Sequence, residues 1–113
     1  MNYALTNCEV FTGEKTLYNK SIIIEGNKIA EITDEDKIPS DIKVIDLGGL
    51  NVAPGFIDLQ VNGGGGEFFT NNPTSDCLKA MFKAYKRYGT THFLPTIITS
   101  GHDTIMKALD ATE

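Results

Sequence analysis

The stretch Pro54-Gly55-Phe56-Ile57-Asp58-Leu59-Gln60-Val61-Asn62, followed by Gly63 to Gly66, constrains the fold more than any other part of the chain. On a strand, side chains two apart share a face. That spacing predicts Asp58, Gln60 and Asn62 on one side and Ile57, Leu59 and Val61 on the other. The polar residues gather toward the C-terminal end, directly before a loop without side-chain bulk. An α/β barrel keeps its active site at that end of its strands.

The segments around this strand differ in kind. Before about Leu50 every signal is β. Ser21–Glu25 and Lys28–Ile32 are isoleucine-rich runs separated by Gly26-Asn27, a two-residue hairpin turn in which both residue types tolerate positive φ. Tyr3–Phe11 supplies an earlier strand, turned by Thr12–Lys15, and Lys43–Leu47 a later one, ended by Gly48-Gly49. These strands are expected to pair antiparallel, with Asp34–Lys37 and Pro39–Asp41 as solvated connections. After Pro54 the pattern becomes strand, helix, strand, helix, which predicts parallel βα units. Thr74 or Ser75 is the expected N-cap of a helix whose apolar face holds Leu78, Met81, Phe82 and Tyr85, with Gly89 as a left-handed cap. Thr91–Thr99 reads as a second buried strand, with Pro95 at its end or at a bulge. Ser100 and Asp103 resemble a capping pair for a last helix carrying Ile105, Met106 and Leu109.

Composition excludes several function classes. The chain has 113 residues, 41% of them hydrophobic, and a net charge of −5. Without a basic run, nucleic acid and anionic membranes are not expected partners. No run is apolar enough to span a bilayer and the N-terminus lacks a signal-peptide pattern, so a cytoplasmic location is expected. Two cysteines, Cys8 and Cys77, are too few for a disulfide framework and read as reduced, half-buried thiols. Two βα units fall short of the eight a barrel needs, which marks the chain as the N-terminal part of a longer enzyme.

Three stretches carry a family resemblance: Tyr3–Asn7 continuing to Phe11-Thr12-Gly13, Pro54–Gly63 with its Gln60-Val61-Asn62-Gly63, and Gly89–Ser100 with its Leu94-Pro95-Thr96 and Ile98-Thr99. In these the chain resembles the N-acetylglucosamine-6-phosphate deacetylases of the amidohydrolase superfamily. The resemblance implies residues 1–52 as the N-terminal part of a small composite β-sandwich, completed by strands from the far C-terminus. Residues 53–113 would be the first two βα units of a (β/α)₈ TIM-like barrel. It implies hydrolysis of the acetamide of N-acetylglucosamine 6-phosphate in amino-sugar catabolism, with one divalent metal ion, zinc or iron, in the whole enzyme. That metal would be held by a glutamate and two histidines of later strands, and the proton shuttle is also placed outside this chain. A homodimer or homotetramer is implied for the parent.

The departure from the wider superfamily is chemically readable. Most amidohydrolases carry His-x-His at the end of the first barrel strand, where Gln60 and Asn62 stand here. Neutral amides are poor zinc ligands beside imidazole, so these two are expected to line the site without ligating. No residue of the chain is expected to be catalytic or to hold metal, and the 113 residues alone are expected to be inactive. Asp58 is read as a structural hydrogen-bonding partner, His92 and His102 as structural or surface residues. Gly63–Gly66 is read as a flexible loop, and Phe68-Phe69 as packing under it. Two other readings remain: a dihydroorotase- or dihydropyrimidinase-like cyclic amidohydrolase, whose two-metal chemistry favours His-x-His, and a non-enzymatic β-rich interaction module.

Overall fold

A computed structural model describes residues 2–113. The chain divides into two compact units, Met1–Pro54 and Gly55–Glu113. Among the described residues, no helix is long and apolar enough to cross a membrane.

The first unit is a single four-stranded sheet of β1 (Asn2–Phe11), β2 (Thr16–Glu25), β3 (Lys28–Thr33) and β4 (Lys43–Val52), in the order β3-β2-β1-β4. The first three form an antiparallel meander. At the Gly26-Asn27 turn only Gly26 takes positive φ, at 62°. The expectation of antiparallel strands throughout fails at β4, which runs parallel to β1 from Tyr3↔Lys43 to Val10↔Val52. The reason is topological. β3 and β4 point the same way at opposite edges, so their connection crosses a sheet face instead of turning back. That connection is not merely solvated, because Asp34 pairs with both Lys20 and Lys37 around a 3-10 turn at Glu35–Lys37.

Bulges set the faces of this sheet. Leu5 packs against the buried cluster of Cys8, Val10 and Ile22, although strict alternation would separate Leu5 from Cys8. The extra residue is Asn7, at φ 51°, where the β1 register shifts. Gly48 and Gly49, expected to end β4, instead bulge inside it at φ 61° and 85°, and pairing resumes at Leu50. An open apolar cleft of about 220 Å³ lies along the same sheet, lined by residues that include Val10, Ile22, Ile29, Ile32 and Val52.

The second unit pairs β5 (Phe56–Val61) with β8 (Thr90–Pro95) in parallel, as alternating strand and helix signals predict. Between them lie a short hairpin, β6 (Gly63–Gly64) with β7 (Glu67–Phe68), and helix α1 (Ser75–Lys86). The Thr74 hydroxyl caps α1 by accepting from the Cys77 amide at 3.2 Å, worth about 1 kcal/mol. Gly89, at φ 88°, ends the turn beyond the helix and accepts the Phe56 amide at 2.8 Å. Val61, Phe69, Cys77, Met81 and Ala108 form the core, with Leu78, Tyr85 and Phe93 packed against it. Phe82 lies at the edge of the expected helical face and stays partly exposed.

Pro95 is the last residue of β8, so this strand is shorter than the Thr91–Thr99 run implies. Helix α2 (His102–Asp110) begins at Gly101 without a side-chain cap. Ser100 instead donates to the Ile98 carbonyl at 2.9 Å. Ala108 is the buried residue of α2, while Ile105, Met106 and Leu109 are exposed. Both cysteines are free and buried rather than half-buried. Burial is the leading cause that raises both thiol pKa values, with Glu35 adding to it at Cys8 and Glu67 at Cys77.

Candidate functional site

The C-terminal end of β5 is built by an interruption of its own ladder. Asp58 pairs with Phe93 and Val61 with Pro95, so three steps on β5 match two on β8. The Asp58 carboxylate accepts the amide of Gln60, two residues on, at 3.1 Å. That bond occupies an N–H that a regular strand would give to its neighbour. Ladder partners share a face. Asp58 therefore lies on the face of Phe93, which packs on α1, and Val61 is buried on that same side. Gln60 and Asn62 flank Val61 and leave the strand on the opposite face. The expected grouping is thereby corrected: Gln60 and Asn62 stay together on either side of Val61, Asp58 departs from them, and Val61 parts from Ile57.

Two hydrogen bonds hold Asn62 itself, and one more holds each of its neighbours, Val61 and Gly63. The Asn62 side-chain amide donates to the Thr96 carbonyl at 3.2 Å, tying the end of β5 to the residue after β8. Its own carbonyl accepts the Phe69 amide at 2.8 Å, and the Val61 carbonyl accepts the Thr96 amide at 2.8 Å. The Gly63 carbonyl accepts the Tyr85 hydroxyl at 2.6 Å. Asn62 is half-buried, whereas Gln60 is exposed and its side chain forms no hydrogen bond among the described residues. One amide is thus fixed and the other free to meet a ligand.

The four glycines are not a slack loop. Gly65 and Gly66, at φ 66° and 87°, form the tight turn of the β6–β7 hairpin. A Cβ on Gly64 would stand 2.6 Å from the Tyr85 ring. The expectation of flexibility is overturned because the hairpin needs bare backbone to lie flat on α1. Phe69 beneath it is buried, as the sequence suggested, while Phe68 is partly exposed.

His92 is exposed and pairs with Ile57 on the ladder, with its ring beside the Thr91 hydroxyl at 3.1 Å. His102 opens α2. Among the described residues no three His, Cys, Asp or Glu side chains converge. The strand end offers neutral amides, one of them already committed to Thr96, so these residues do not fit a metal.

Residues 2–52 match the family described as the NagA composite domain. Over 109 residues the chain is 38% identical to the N-acetylglucosamine-6-phosphate deacetylase of Haemophilus influenzae, covering 96% of this chain and 29% of that protein. Along nearly its whole length the chain is similar to the N-acetylglucosamine-6-phosphate deacetylases. The crystal structure of the deacetylase from Pasteurella multocida superposes with a TM-score of 0.93 at 36% identity, covering 98% of this chain and 29% of the other. A Shewanella protein named N-acetylgalactosamine-6-phosphate deacetylase is 49% identical over 57 residues, half of this chain and 14% of its own length. The chain thus spans under a third of the length of the deacetylase-family proteins it matches.

Proposed function

We propose that the chain supplies the N-terminal portion of a metal-dependent deacetylase that converts N-acetylglucosamine 6-phosphate to glucosamine 6-phosphate and acetate. The observation that carries this reading is the pairing of Gln60 with Asn62 at the C-terminal end of a strand parallel to β8, within a sequence similar to the deacetylases along nearly its whole length. Residues 1–52 are then part of a composite β-sandwich, its open apolar face awaiting a second sheet. Residues 53–113 are the first two βα units of a (β/α)₈ barrel. Gln60 and Asn62 line the mouth. Gln60 reaches toward substrate, and Asn62, clamped to Thr96, shapes the floor and excludes solvent there.

The one divalent metal of this reading, zinc or iron, would activate water for attack on the amide. It is not assigned to residues of this chain, whose donors do not fit it. A cytoplasmic location and a homodimeric or homotetrameric parent complete the reading. A cyclic amidohydrolase with two metals would want imidazoles where the two amides stand, and a binding module has no use for an amide-ended parallel strand.

The test is acetate release from N-acetylglucosamine 6-phosphate by the full-length protein carrying this chain, with the galactosamine isomer as competitor. The 113-residue chain by itself is expected to release none, even with added zinc. In the full-length protein, Asn62→Ala is expected to lower turnover by about 10–100-fold while metal content holds. Loss of the metal in that variant would make Asn62 a ligand and sink this assignment.

A further inference from the structure

We infer that Tyr85, on the face of α1, is a positioning residue for Asn62, an inference that rests on the reading of Asn62 as lining the site. Three observations converge on it. The Tyr85 hydroxyl donates to the Gly63 carbonyl at 2.6 Å, on the residue directly after Asn62. Its ring fills the space that a Cβ on Gly64 would need, the nearest ring carbon being 2.6 Å from that point. The ring is itself backed by Phe93 of β8, with centroids 6.0 Å apart, and Phe93 is the ladder partner of Asp58. Tyr85 therefore touches the corner from the helix side, while Thr96 and Phe69 tie Asn62 from the strand and hairpin sides.

The chemistry makes the hydroxyl more than a packing group. The Gly63 carbonyl must keep a partner, and turning it toward water would swing the Gly63–Gly64 peptide with it. The phenol is a rigid donor on a helix capped by Thr74 and packed through Met81, so it holds that peptide plane at one orientation. That plane starts at the Gly63 Cα, and the Asn62–Gly63 peptide, held by the Phe69 amide, carries its position back to the Asn62 Cα where the side chain begins. A shift of that origin breaks the reach to Thr96 without altering any residue that meets substrate. Sequence periodicity sees Tyr85 only as one of four apolar-face residues; its donor role is invisible until Gly63 is seen beneath it.

Tyr85→Phe keeps the ring and removes the donor, and it is compared in the full-length protein with and without Asn62→Ala. Site-resolved hydrogen exchange reads the corner without relying on catalysis. The Phe69 and Thr96 amides are expected to exchange about tenfold faster in Tyr85→Phe, with the Gly48 amide unchanged. Unchanged exchange at Phe69 and Thr96 overturns the inference. In the deacetylase assay, Tyr85→Phe is expected to lower kcat by about five- to tenfold with KM held, and to change it by less than about twofold once Asn62 is alanine. Equal falls in both backgrounds overturn the inference, since a purely structural tyrosine would act whatever stands at position 62. Absence of acetate release from the unaltered protein refutes the deacetylase reading instead, and the exchange rates then decide Tyr85 alone.

Discussion

In β4, Asp46 accepts the amide of Gly48, two residues on, at 2.8 Å; in β5, Asp58 accepts that of Gln60, also two residues on, at 3.1 Å. Both carboxylates close a bulge, yet the surroundings differ. Around Asp46 the bend is shared with glycines at φ 61° and 85° and with the Asn7 amide, which donates to the same carboxylate oxygen at 2.8 Å. That bulge lies mid-strand, and the ladder resumes after it. Around Asp58 no glycine takes part, and the strand ends almost at once. The first bulge is absorbed by the sheet. The second leaves two amides on a free face, which turns the same backbone device into a way of presenting side chains.

The largest expected effect tests whether the presenting region depends on its helix. Met81 is fully buried between α1 and β5, so Met81→Ala should lower unfolding free energy by about 2–5 kcal/mol through the lost methylenes and the cavity. Denaturant unfolding reads the loss. A change below about 1 kcal/mol would mean that α1 is not what holds the strand end in place.

A pair of glycine substitutions sharpens the contrast between the regions. A Cβ on Gly63 would stand 2.5 Å from the Glu67 carbonyl oxygen, a backbone atom that cannot rotate away. At Gly48 nothing lies within 4 Å, and only the φ of 61° opposes a side chain. Gly63→Ala is expected to cost about 1–3 kcal/mol and Gly48→Ala about 1–2 kcal/mol. The sharper distinction is positional: Gly63→Ala should also broaden the Asn62 amide resonances, and Gly48→Ala should not. Identical spectra at Asn62 would show that the hairpin does not fix the site.

Much of this was legible in the sequence, and what was not lies in features that no local pattern records. The Gly26-Asn27 hairpin, the Thr74 cap, Pro95 at a strand end and the parallel pairing of β5 with β8 all follow from local chemistry or from alternation of elements. The parallel return of β4 did not, because it depends on a crossover that no local signal records. Nor did the bulges: those at Asn7 and Asp58 each shift a period of two by one residue, and at Gly48-Gly49 four steps of β4 match two of β1. In the candidate site, that single shift kept Gln60 with Asn62 and removed Asp58. Asn62's bond to Thr96 spans 34 residues and needed the fold.

The smallest expected effect is electrostatic and separates two exposed carboxylates of the first unit. Asp34 is held down to about 2 by hydrogen bonds from Lys20 first and Lys37 second, with their charges adding to it. Asp46 is lowered by the Gly48 amide first and the Asn7 side chain second, with no cation involved. Both carboxyls are depressed in the folded state, so whatever stability they contribute is present above their unfolded values and is lost as pH falls through the folded ones. For Asp34 that window runs from about 4, the ordinary aspartate value, down to about 2. Salt should divide the two, because ion pairs are screened and a backbone amide dipole at contact distance is screened far less. In a carboxyl-detected NMR titration, molar salt is expected to raise the Asp34 pKa toward its ordinary range while Asp46 holds. Asn7→Ala should raise Asp46 only part of the way, since the larger contribution comes from Gly48. Full relaxation of Asp46 in Asn7→Ala would mean that the amide of the bulge contributes nothing, and the likeness drawn between Asp46 and Asp58 as bulge clamps would then fail at Asp46.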